Sequence, residues 1–210
     1  MSRSCVTGCE GWALVGWVAL AVAAVTVWIL ATHGREAEGL RQLIRATARI
    51  SGTCFLGAFL AAPLCRLRPN PATAWLLRNR RGLGVSVGVS HVMHGLAIVA
   101  FVRLTGHETP TGSLVAALLA YLLLAAMVAT SFDTTAGWLG RRAWSRLHRT
   151  GLYYLWLVFG FTFFGTATAG DAVSAGFALL YGLALPLRWL GLRGRTEAPP
   201  APTQSSRSKP

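Results

Sequence analysis

The chain has 210 residues, of which 53% are hydrophobic and only 13% charged, and its formal net charge is +13. A soluble domain of this size carries about a quarter charged residues, so the composition argues against a water-soluble fold. The positive excess does not call for nucleic acid as a partner, because membrane proteins hold arginines in their cytoplasmic loops, and no basic helix or aromatic-studded sheet of the nucleic-acid-binding kind is present.

In chain order, the charged residues leave six uncharged stretches, at 11–32, 50–65, 82–102, 109–132, 150–170 and 172–187. A helix crosses a hydrocarbon core about 30 Å thick with roughly 20 apolar residues. Four stretches meet that length alone. The second and sixth are short, and flanking arginines that snorkel (Arg45 and Arg49 for one, Arg188 for the other) lengthen them. The expectation is an all-α polytopic bundle of six transmembrane helices over residues 12–194. A cytoplasmic segment, 1–11, precedes it, and a proline- and serine-rich disordered tail, 195–210, follows. Reading the first stretch as a cleaved secretory signal would leave five spans, but its apolar core runs about 20 residues against the usual 7–15.

Basic residues set the orientation. With the N-terminus in the cytoplasm, the inner segments hold 15 of the arginines and lysines and the outer segments 5. Both termini are therefore expected in the cytoplasm. Cys5 and Cys9 then face a reducing compartment, and their "CVTGC" spacing lacks the partners of a metal site. The last span is followed by too few residues for a flavin or nicotinamide domain, and no glycine-rich dinucleotide fingerprint occurs. No built-in FAD or NAD(P) domain is expected.

Ionisable groups inside a membrane are costly and mark functional candidates. His33 and His107 fall in outer loops. His91 and His94, three apart in the third span, share one helical face, and His148 begins the fifth. Each imidazole could simply hydrogen-bond a neighbouring helix. Zinc or copper would require more converging ligands, and no Asp or Glu is expected in the bundle interior. Haem requires only one or two axial imidazoles, an apolar slot and cations for its propionates. Gly84, Gly88 and Gly95 would let a macrocycle lie close to the third helix, or would serve close helix packing.

Three motifs carry a resemblance. "TARISGTCFLGAFLAAPLCRL", with Arg49 and Pro63, "RNRRGLGVSVGVSHVMH" and "TSFDTTAGWLGRRAWSRLHRTGLYYLW" are similar to the second, third and fifth helices of the ferric reductase-like transmembrane domain. That family includes ferric reductases, NADPH oxidases and the haem-binding membrane subunit of the periplasmic methionine sulfoxide reductase system. The match covers roughly residues 45–165. It implies b-type haem with family ligands on His94 and His148, and an electron donor that is either a separate flavin reductase or quinone. The acceptor lies outside and is unidentified. The family's second fifth-helix histidine, 13 residues beyond the first, falls here on Phe161, so one haem is expected rather than two. Counted at 1.5 Å per residue from Arg81 and Arg142, His91 lies nearer in depth to His148 than His94 does, by about 5 Å. Depth thus favours His91 as the partner of His148, whereas the resemblance favours His94. Arg45 and Arg49 are candidates to neutralise propionates. The competing expectation is a haem-free structural or assembly subunit that keeps the fold. A transporter would call for polar path-lining residues or interrupted helices in repeated halves.

Overall fold

The computed structural model describes residues 10–193. The tail 195–210, Cys5 and Cys9 lie outside the described residues, as does all but the end of the N-terminal segment. The described chain is helical throughout: α1 Trp12–His33, α2 Ala37–Leu67, α3 Pro71–Arg78, α4 Arg80–Thr105, α5 Thr111–Ala129, α6 Asp133–Thr168 and α7 Ala172–Arg193. All but α3 are long and apolar enough to cross a membrane. The protein is an all-α, multi-pass membrane bundle in contact with lipid, as its composition predicts.

Two elements differ from expectation. The second span is a 31-residue helix that begins 13 residues before the uncharged stretch. Arg41 and Arg45 are exposed and Arg49 is half-buried, four apart along one side, while Leu40, Leu43, Thr47 and Ser51 are buried. That periodicity is helical although the segment is charged. The short α3 fills the loop between the second and third spans. Asn70 caps it by accepting from the Thr73 amide at 3.0 Å, the Thr73 hydroxyl accepts from the Asn70 amide at 3.0 Å, and Pro71 opens its first turn. In α6, Gly140 is non-helical at φ 72° and ψ 152°, so the residues before it form a separate kinked segment.

α2 is the hub, packed against α1, α3, α4 and α7. Its core is aromatic: Phe55 meets Phe159 of α6 and Tyr181 of α7 and stacks on Phe59, which meets Tyr153 of α6 edge-on. Pro63 lies inside α2 and has no N–H, so the Phe59 carbonyl four residues earlier loses its helical donor. Arg188 of α7 replaces it: Nη1 donates to that oxygen at 2.7 Å, and the guanidinium lies over the Phe59 ring at 4.6 Å and the Tyr153 ring at 5.5 Å. Arg188 therefore turns into the bundle rather than snorkelling outward. Gly191 sits directly on Pro63, where an added Cβ would lie 2.7 Å from the proline Cα.

Of Gly84, Gly88 and Gly95 in α4, the last two receive side chains from α5, whereas nothing lies within 4 Å of a Cβ at Gly84. A Cβ at Gly88 would meet Val128 at 2.7 Å, and one at Gly95 would meet the Tyr121 hydroxyl at 3.0 Å. Close approach at these two positions serves helix packing. α4 and α6 make no extensive direct contact among the described residues, and a cavity lies between them.

Candidate functional site

The cavity of about 300 Å³ is bounded by α2, α4, α5, α6 and α7, and His91, His94, Arg45 and Arg49 all line it. Its size is at the lower end for small-molecule sites. Arg45 and Thr162 on its rim are exposed, so it opens to the surface of the bundle.

α2 supplies the polar atoms that orient both imidazoles. His94 Nδ1 lies 3.1 Å from the Ile44 carbonyl oxygen and 3.1 Å from Thr47 Oγ1. A carbonyl can only accept, so His94 Nδ1 carries the proton. The Thr47 hydroxyl donates to the Leu43 carbonyl at 2.7 Å, which leaves its oxygen free to accept as well. The Nε2 lone pair is then the free one, the tautomer of a metal-ligating histidine. His91 Nδ1 pairs with Ser51 Oγ at 2.9 Å. Its ring is enclosed by Tyr121 at 5.4 Å and Phe159 at 5.3 Å, with His94 at 5.2 Å. Neither Nε2 hydrogen-bonds to a described residue, and neither is a sealed, unsatisfied atom. Both histidines line the cavity.

His148 stands apart. Its Nε2 lies 3.0 Å from Thr130 Oγ1, which itself donates to the Ala126 carbonyl at 2.7 Å, so Nε2 is the donor. The Trp144 ring stacks on it at 4.3 Å, and Trp144 Nε1 donates to the Thr130 carbonyl at 2.9 Å. The pair thus closes the C-terminal end of α5. Phe159, level with His91, is eleven residues beyond His148 on the same helix, about 16 Å along the axis. The expected facing of His91 and His148 across a single ring is not found. The arginines used as depth markers do not share a plane: the His91 and Phe159 rings meet, yet Phe159 is seventeen residues beyond Arg142 on α6, whereas His91 is ten beyond Arg81 on α4.

Arg49 also departs from expectation. Its Nη2 is bound by both oxygens of Asp171, at 3.0 and 2.8 Å, and Ser174 donates to the same carboxylate. The Ser174 hydroxyl first, and the Arg49 guanidinium after it, hold the Asp171 carboxyl below the ordinary aspartate range. Arg45 on the same rim has no ion-pair partner among the described residues. Of the two candidate cations, Arg45 is the one whose charge is available to a ligand.

The sequence reading passed over Thr47, Ser51, Tyr121, Thr162 and Asp171. Thr47 and Ser51, four apart on the second span, mirror the histidines three apart on the third, and that pairing of polar spacings was the available signal. Four predicted residues, His91, His94, Arg45 and Arg49, converge on one cavity; His148 does not join them. No group of three or more His, Cys, Asp or Glu side chains placed to hold a metal ion occurs among the described residues. Compared with family models, curated proteins and solved structures, the chain shows no match.

Proposed function

We propose that this protein is a b-type haem subunit of a bacterial inner membrane that passes electrons from the cytoplasmic side toward an acceptor outside. The observation that carries the reading is His94: its tautomer is fixed by a backbone carbonyl, and its Nε2 is unpartnered on a cavity walled by apolar side chains. The motif resemblance to the ferric reductase-like transmembrane domain supports it. A haem bound there would supply one-electron transfer at its iron. The chain's residues do the rest. His94 would hold the group through its free Nε2, Thr47 and Ile44 fix the orientation of that ring, Arg45 at the rim would pair with an acidic substituent of the group, and Arg49 with Asp171 ties α2 to α7 beside it. The donor is a separate flavin reductase or quinol, and both termini face the cytoplasm.

A second reading is favoured by one observation: all three intramembrane histidines already hydrogen-bond within the bundle. On that reading the chain is a haem-free structural or assembly subunit. Visible spectra of the purified protein, oxidised and dithionite-reduced, separate the two. A Soret band that shifts on reduction supports the haem reading, and a transparent protein that is folded and inserted supports the second.

A further inference from the structure

Across the cavity from the α4 histidines stands α6, and the register between the two helices can be read from one contact. The His91 ring meets the Phe159 ring at 5.3 Å. α4 and α6 are separated by a single span and so cross the membrane in the same direction. His94 is three residues beyond His91, and Thr162 is three beyond Phe159, so Thr162 stands at the level of His94. Thr162 lines the cavity and Phe161 does not. Phe161 is 69% exposed, toward lipid. The Thr162 hydroxyl donates to the Val158 carbonyl at 2.8 Å and the Thr166 hydroxyl to the Thr162 carbonyl at 3.0 Å, and the rest of this wall is the apolar Leu155, Val158, Phe159 and Phe163. It contains no imidazole, thiolate or thioether.

We infer that a haem in this cavity is held by a single imidazole, and that its α6 side is left to a small uncharged diatomic ligand, with Thr162 as the residue that decides whether that position is open. The inference rests on the haem reading above. A bulky molecule is disfavoured there, because the aromatic and branched side chains of α6 leave little room, and a charged one finds no partner on α6 itself, the available guanidinium of Arg45 belonging to α2. A small neutral molecule needs only an open axial position in an apolar pocket.

The test compares the purified wild type with Thr162→His and Phe161→His, each reduced with dithionite and scanned with and without carbon monoxide. Expected are a high-spin wild-type spectrum that shifts with carbon monoxide, an unchanged Phe161→His, and a Thr162→His variant with the sharp α-band of a low-spin haem and a carbon monoxide response weakened at least tenfold. A low-spin wild type that is indifferent to carbon monoxide overturns the inference while leaving the haem reading intact. So does a switch to low spin in Phe161→His but not in Thr162→His. Absence of a Soret band from the wild type overturns both.

Discussion

Asp171 is where a single proton has a readable consequence. Its carboxyl titrates below the ordinary 3.8 because Ser174 and Arg49 favour the charged form. The unfolded chain therefore binds this proton at a higher pH than the folded one. The contribution is complete above the ordinary value and is lost as pH falls through the lowered one. Thermal melts followed by circular dichroism should be flat from neutrality to about pH 5 and fall below that, and Asp171→Asn should flatten the acid limb. At His148, whose Nε2 is engaged by Thr130, alanine should lower the melting temperature and leave haem content unchanged; loss of haem would return His148 to the site. The histidines themselves were legible as charge-capable residues in an apolar run, but their partners were not. Arg49 and Asp171 are 122 residues apart, and no local pattern connects them. The family interval placed the missing histidine at Phe161, one residue from the cavity-facing Thr162, and one residue on a helix is a rotation of about 100°.

Among the elements, α2 and α7 are keyed together by a missing hydrogen bond. Pro63 orphans the Phe59 carbonyl and Arg188 supplies the donor. Arg188→Leu should destabilise the bundle by about 1–2 kcal/mol, the upper range for hydrogen bonds between membrane helices. Pro63→Ala restores the helical N–H. In that background the Arg188→Leu penalty should shrink, and a double-mutant cycle that comes out additive would contradict the assignment. Gly191→Val should be poorly tolerated, because its Cβ would meet the Pro63 backbone. The six spans were visible because a run of about 20 apolar residues has few alternatives. The amphipathic start of α2 escaped because lack of charge was the criterion, and its arginines lie on one face of a helix that continues through them. The cap of α3 is written locally as Asn70, Pro71 and Thr73, but α3 escaped because eight residues are too short to stand out as a span.

Over the whole molecule, side-to-side ties agree with six crossings. Arg49 reaches Asp171 at one end of the bundle. At the other, the Gly11 amide donates to Asn79 Oδ1 at 2.8 Å and Arg78 pairs with Glu10 at 3.1 Å. With the arginine bias, a C-terminal reporter active only outside the cytoplasm should stay silent, and strong activity there would contradict the orientation. The purified chain alone should not oxidise NADH or NADPH, whereas a flavin reductase or reduced quinone should reduce its haem. The central claim is a haem held through His94, and the most direct measurement is haem content per chain, by pyridine haemochromogen absorbance, in wild type, His94→Ala and His148→Ala. About one haem is expected in the wild type and in His148→Ala, and at least a tenfold loss in His94→Ala, where the imidazole that would hold it is removed. Full haem content in His94→Ala, or none in the wild type, would contradict that claim.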